Sequence, residues 1–311
     1  MKKLHYMLVI MSVTIAALCG CRMTAPAIVA VDQADHTVVV FNNVPDWSGE
    51  KEVIWRWDPA DAPEIVPEHK YWFNVPDECK VVRNGEELLI TASGGGAARI
   101  RIADKKVLFY ACPDGNPHSI ELLPDDNIVT ASSTGNKLTI YATDPADSPD
   151  PENAKAVTID LEDAHGVVWD DERQLLWAHG RDSIVAFQYN FDRHNPMLTP
   201  VKTIQVPDPS FFGGHDLYPR HNGKELFVTC EKKVSVLNPE DGTLKELFPL
   251  ANVKSISEDA DGNLLVAIPE ESWWTPRILQ LNGKGEKIGE HVRSGARFYK
   301  ARYFQAYPLN R

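Results

Sequence analysis

Hydrophobic and polar positions along this chain fall into short runs bounded by turns. Thr37–Phe41 reads Thr-Val-Val-Val-Phe, Lys137–Tyr141 reads Lys-Leu-Thr-Ile-Tyr, and Glu225–Cys230 reads Glu-Leu-Phe-Val-Thr-Cys. Such β-branched and aromatic runs of about five residues predict strands. Between them stand turn pairs that favour positive φ, among them Asn84-Gly85, Asn222-Gly223 and Asp261-Gly262, and the turn Pro124-Asp125-Asp126-Asn127. No useful helical period of apolar residues is present, and no glycine-rich loop leads into a helix. The expectation is an all-β chain.

The predicted strands group in fours. Cys79–Arg83, Glu87–Ser93, Ala97–Ile102 and Lys106–Tyr110 form one group, and further groups start at His118, His165, His215 and Val253. Each opens on a similar phrase. Pro117-His118-Ser119, Ala164-His165-Gly166-Val167 and Gly214-His215-Asp216-Leu217 carry histidine; Cys79-Lys80-Val81-Val82, Val253-Lys254-Ser255-Ile256 and Tyr299-Lys300-Ala301-Arg302 carry lysine. The spacing, roughly 38 to 50 residues, is that of propeller blades. Ile28–Val31, Thr37–Phe41 and Glu52–Trp57 are three strands without an inner partner, and Tyr299–Gln305 is an inner strand without followers. Joined, they make a sixth blade. Residues 28–311 are therefore predicted to form one six-bladed β-propeller closed by both chain ends.

Composition adds an address. Lys2 and Lys3, an apolar run Tyr6–Leu18, and Leu18-Cys19-Gly20-Cys21 have the form of a bacterial lipoprotein signal peptide with Cys21 acylated and residues 22–27 as a tether. The apolar run is shorter than the ~20 residues a membrane span needs. An outer-membrane lipoprotein is expected, on the periplasmic leaflet in preference to the cell surface, and monomeric. A net charge of -12 argues against nucleic acid as a partner. Cys79, Cys112 and Cys230 are an odd set. A Cys79–Cys112 bridge within one blade is open to an extracytoplasmic protein, but free thiols are the expectation.

The signal sequence, Pro117-His118-Ser119-Ile120-Glu121-Leu122-Leu123-Pro124-Asp125, Ala164-His165-Gly166-Val167-Val168-Trp169-Asp170 and Gly214-His215-Asp216-Leu217 together resemble a group of uncharacterised six-bladed propeller lipoproteins of glycan-degrading Gram-negative bacteria. The resemblance covers nearly the whole mature chain and implies the fold; it brings no established activity. At the level of fold the chain is also similar to seven-bladed oligogalacturonate lyases, where histidines near the axis hold a metal.

Inner strands of a propeller start at one face, and the loops between second and third strands return to it. Lys80, His118, His165, His215, Lys254 and Lys300 are thus expected to ring the axial mouth. His179, Arg181, Glu231, Glu270, Trp273 and Trp274 are brought there by the return loops, and Arg297 lies near. A ring of imidazoles and ammonium groups suits an anionic ligand, with a histidine as general base and the lysines neutralising a carboxylate. His118, His165 and His215, on consecutive blades, are also candidate ligands of a divalent transition metal. The competing expectation is that each basic residue bonds a neighbouring backbone or carboxylate. Trp273 and Trp274 are candidate sugar platforms, as are Trp55, Trp57, Tyr71 and Trp72, though Trp55 and Trp57 are expected to pack between blades. The function expected is binding, and turnover by β-elimination or hydrolysis, of an acidic oligosaccharide; the alternative is a non-catalytic glycan-binding or protein-interaction scaffold.

Overall fold

The structure is a computed structural model and describes residues 26–206 and 213–305. The expected signal peptide, the expected acylation site Cys21 and most of the expected tether lie outside these residues. Six four-stranded antiparallel sheets follow one another as the blades of a β-propeller. Blade 1 joins β1 (Ile28–Asp32), β2 (Thr37–Phe41) and β3 (Val53–Trp57) to the last strand, β24 (Phe298–Tyr303). Blade 2 is β4 (Pro76–Val82), β5 (Glu87–Ala92), β6 (Ala97–Arg101) and β7 (Val107–Ala111). Blade 3 is β8 (Pro117–Leu122), β9 (Ile128–Ser132), β10 (Lys137–Tyr141) and β11 (Ala156–Asp160). Blade 4 is β12 (Gly166–Asp170), β13 (Leu175–His179), β14 (Ser183–Tyr189) and β15 (Leu198–Gln205). Blade 5 is β16 (Gly214–Pro219), β17 (Leu226–Cys230), β18 (Val234–Leu237) and β19 (Leu244–Phe248). Blade 6 is β20 (Ser255–Glu258), β21 (Leu264–Ala267), β22 (Arg277–Leu281) and β23 (Lys287–Val292). The closure expected from the orphan strands is present: Ile28 pairs with Tyr303 and Ala30 with Ala301.

Burial grades outward along each blade. The inner strands β4, β8, β12, β16, β20 and β24 are buried at every residue, whereas β11 and β15 are mostly exposed. Apolar faces of adjacent blades form the core. Between blades 1 and 2, Val29, Val31 and Trp57 pack with Val81, Ile90 and Tyr110. The Trp55 indole donates to the Ile102 carbonyl of the next blade at 3.0 Å, so Trp55 and Trp57 are inter-blade packing, as expected. Trp72 is also buried in this core and is not a sugar platform; its neighbour Tyr71 is exposed. Cys79, Cys112 and Cys230 are free thiols.

A recurrent irregularity shapes the inner strands. In β4, Pro76 faces Ala92 and Glu78 faces Thr91, leaving Asp77 as an extra residue. In β8 the same bulge falls at His118, and in β16 at His215. β24 shifts register between its pairs Phe298–Asp32 and Ala301–Ala30, across Tyr299 and Lys300. A bulge bends the strand and re-aims the side chain it carries. Here it falls at the second residue of β4, β8, β16 and β24, whereas β12 and β20 pair with their neighbours without a shift.

Candidate axial site

The residues at the mouth are Tyr299, Asp77, His118, His165, His215 and Lys254, in order around the six blades; Tyr299, Asp77, His118 and His215 lie at bulges. His165 and Lys254 stand just before their strands, where their amides donate to the His179 and Ala267 carbonyls. This corrects the expected ring at two places. Lys80 lies three residues deeper than the mouth position of its blade, Asp77, and Lys300 lies one residue deeper than Tyr299. Matching Cys79-Lys80 to Pro117-His118 sets the two strands three residues out of step: β8 bulges at His118 as β4 does at Asp77, so Lys80 corresponds to Glu121.

Both deeper lysines are spent inside the protein. Lys300 Nζ lies 3.1 Å from Glu78, 3.2 Å from Asp216 and 2.9 Å from the His118 carbonyl. Lys80 Nζ lies 3.3 Å from Glu121 and also donates to the Val167 carbonyl. Arg302 bonds both Glu78 and Asp216, and its guanidinium stands 4.0 Å from the centre of the Tyr218 ring. All of these ion-pairing side chains have no exposed surface. Lys80, Lys300 and Arg302 balance Glu78, Glu121 and Asp216, three charges against three, as burial without ruinous desolvation requires. Burial alone would raise the Glu78 and Asp216 carboxyls, but Arg302 and Lys300 hold both below the usual range. For Lys80 and Lys300 the competing expectation, neighbouring carboxylates and backbone, is the one the structure realises.

The mouth itself is arranged differently. The His118 and His165 rings stack with centroids 4.7 Å apart, and His215 meets His165 edge to face at 6.0 Å. Asp163 O lies 2.9 Å from His165 Nδ1 and can only accept, so Nδ1 carries the proton and Nε2 keeps its lone pair. His118 Nε2 meets the Asn116 amide at 2.9 Å, and its Nδ1 is 3.9 Å from Asp77. Lys254 Nζ lies 3.2 and 3.0 Å from the two ring nitrogens of His215. Burial pushes His165 down to about 4, and burial with the adjacent Lys254 pushes His215 down to about 2. His118 is likewise well below its usual value, first through burial and then through His165. Burial lowers Lys254 to about 8 and raises Asp77 to about 8. At neutral pH the mouth is thus a set of neutral imidazoles beside one weakened ammonium group.

This arrangement does not fit a metal. Among the described residues no three His, Cys, Asp or Glu side chains converge as metal ligands. The His118 and His165 rings lie within 7° of parallel, so their nitrogens occupy stacked planes, and a cationic side chain stands against both nitrogens of His215.

The return loops supply a rim. Trp273 is 54% exposed, and its indole N–H donates to Gln33 Oε1 at 3.0 Å. The Gln33 amide donates in turn to Asp77 Oδ1 at 3.2 Å, and Ser93 donates to Asp77 Oδ2 at 2.6 Å. Trp273 is therefore a fixed platform tied to the mouth. Trp274 instead lies under the Arg297 guanidinium, 5.0 Å from it. Glu270 pairs with Arg277 at 2.5 Å, and Arg181 with Glu162 at 3.0 Å. Glu231, Asp163, Arg181, Asp182 and Gly213 line a cavity of about 480 Å³. His179 is fully buried beneath the mouth, its ring against the backbone of Gly214, and is lowered by burial to about 4. Asp77, Gln33, Asn116, Asp163 and Tyr299 were not among the residues the sequence singled out. One signal was available for Asp77: Pro76-Asp77 repeats the proline of Pro117-His118.

Fold and site together define a six-bladed propeller with a sealed, charge-balanced axis and a titratable cluster at one mouth. The chain belongs to DUF6528, a family of unknown function, whose match spans residues 12–309. No curated protein matches its sequence. Among solved structures it is similar to a protein of unknown function from Bacteroides caccae, at 13% identity and a TM-score of 0.57, covering 89% of this chain and 98% of that one. It is similar also to a putative 6-phosphogluconolactonase from Bacteroides uniformis, at 16% identity and a TM-score of 0.53, covering 88% and 86%. A chain of a nidogen/laminin complex aligns at 13% identity and a TM-score of 0.56, covering 89% and 97%. At these identities the likeness speaks for the fold alone.

Proposed function

We propose that the axial mouth binds an acidic oligosaccharide, in a lipoprotein anchored through Cys21 to the periplasmic leaflet of the outer membrane. The observation that carries this reading is the state of Lys254. Lys80, Lys300 and Arg302 each have a carboxylate in contact, while the close partner of Lys254 Nζ is a neutral imidazole. Glu231 and Asp163 act on it only at longer range. A ligand carboxylate would complete the ion pair that the described residues leave unmade. Trp273 supplies an apolar face for a sugar ring, and Asp163, Glu231 and Arg181 supply hydrogen-bonding groups around an adjoining cavity.

His165 is the best-placed general base for turnover. Its Nδ1–H is committed to a carbonyl, and burial keeps Nε2 unprotonated across the neutral range. In the step these groups can perform, Nε2 takes the proton α to the carboxylate while Lys254 holds the developing charge; the C–H electron pair forms C=C as the β C–O bond breaks, and the leaving oxygen takes the proton from the imidazolium. His215 is less suited, because Lys254 stands against both of its nitrogens. A panel of intact and unsaturated uronic-acid oligosaccharides, read by calorimetry and by product chromatography, tests the reading. Binding that Lys254→Met weakens at least about tenfold supports it. Turnover lost in His165→Ala adds the enzyme. Binding without turnover leaves a glycan-binding platform, and no binding to any acidic glycan overturns the reading.

A further inference from the structure

We propose that Lys254 is a nucleophilic amine that condenses reversibly with the carbonyl carbon of a small acidic aldehyde or keto compound at the axial mouth, with His215 relaying the proton. This goes beyond glycan recognition and does not depend on it.

The geometry sets Lys254 apart from the other lysines. Lys80 and Lys300 are fully buried in ion pairs. Lys70 is held by the carbonyls of Pro59, Ala60 and Ala62. Lys51 and Lys287 are exposed and paired with Glu52 and Glu290. Among the described lysines, Lys254 alone combines partial burial at a mouth with contact to imidazole nitrogens at 3.0 and 3.2 Å. The charged and titratable groups that act on it or touch it are His215 on β16, Glu231 in the β17–β18 loop, Asp163 ahead of β12 and Lys300 on β24. Burial and Lys300 disfavour its ammonium form, while Glu231 and Asp163 favour it, and the balance lies at about 8. At pH 7 roughly a tenth of the amine is then unprotonated, against less than about 0.1% for an ordinary lysine.

The step balances without an external oxidant. The Nζ lone pair attacks the carbonyl carbon, a C–N bond forms, and the C=O π pair moves to oxygen. A proton passes from nitrogen to that oxygen through the His215 imidazole. Loss of one water gives the C=N bond of the imine, and hydrolysis reverses it. A carboxylate beside the carbonyl would be attracted by the imine while it is protonated, so an oxo acid is favoured over a neutral aldehyde.

The test uses glyoxylate with sodium cyanoborohydride, a hydride donor that traps the imine as a carboxymethyl-lysine, on the folded protein at pH 7 with peptide mapping. Lys254 is expected to be labelled at least about tenfold faster than Lys51, because its larger free-amine fraction outweighs its lower basicity. Labelling of Lys254 at or below the rate of Lys51 would overturn the proposal. Lys254→Arg, which keeps the charge, should abolish the fast adduct with the circular dichroism spectrum unchanged. His215→Phe should slow labelling at Lys254 and leave Lys51 unaffected; an unchanged rate would remove His215 from the proposal. Because glyoxylate is no glycan, failure here leaves the oligosaccharide reading standing, and failure of that reading leaves this one.

Discussion

Each mouth residue has a protonation state set by burial, and burial acts in opposite directions on acids and bases. His165 and His179 are lowered to about 4 and His215 to about 2. The unfolded chain binds protons at these sites near pH 6.5 and the folded chain does not, so their stabilising contribution is complete above that pH and is lost as pH falls toward 4. Asp77, raised to about 8, has the opposite sign: its contribution is complete below about pH 4 and is lost as pH rises through 8. Urea unfolding between pH 6.5 and 4 should therefore show stability falling with pH, since several imidazoles outweigh one carboxyl. His165→Asn should flatten that slope by up to about 1.4 kcal/mol per pH unit. Asp77→Asn should instead flatten the loss between pH 5 and 8. An unchanged slope in either variant would show that its group is not shifted.

The inner strand is the element that decides the site, and its bulge is what separates pattern from position. Six blades, their order and the closure of the ring were legible because strand alternation and turn pairs repeat. His118, His165, His215 and Lys254 were legible at the mouth for the same reason. Lys80 and Lys300 were misplaced because the basic side chain, and not the strand register, set the alignment: Lys80 stands three residues past Asp77, the bulged residue of its strand, and Lys300 one past Tyr299. Glu78 and Asp216, which neutralise Lys300 from other blades, are far from it in sequence and unreadable as partners. Arg302→Met should cost about 3–5 kcal/mol in chemical denaturation, because it leaves two buried carboxylates sharing Lys300 as their remaining contacting cation. Gly166 sits where a Cβ would come within 2.5 Å of Leu217 Cβ and 2.8 Å of its backbone nitrogen. Gly166→Ala should thus push β12 and β16 apart and destabilise by about 1–3 kcal/mol.

At the scale of the whole molecule, the ring is held shut by pairing β24 to β1 and by charges that cross the axis. Lys300 and Arg302, both on the closing strand, contact Glu78 of blade 2 and Asp216 of blade 5. Closure and the charge-balanced axis are thus one structure, and removing residues 298–311 should abolish cooperative unfolding instead of merely lowering its midpoint. The same ion pairs are fully buried along the axis, and the titratable cluster at the mouth is where the proposed ligand would bind. Imidazole NMR on the 15N-histidine-labelled protein, titrated with an acidic uronic oligosaccharide, tests this most directly. The account predicts shifts at His118, His165 and His215, with His69 and His291, which are remote from the mouth, unmoved. Binding that leaves the three mouth imidazoles untouched, or that moves the remote ones instead, would contradict it.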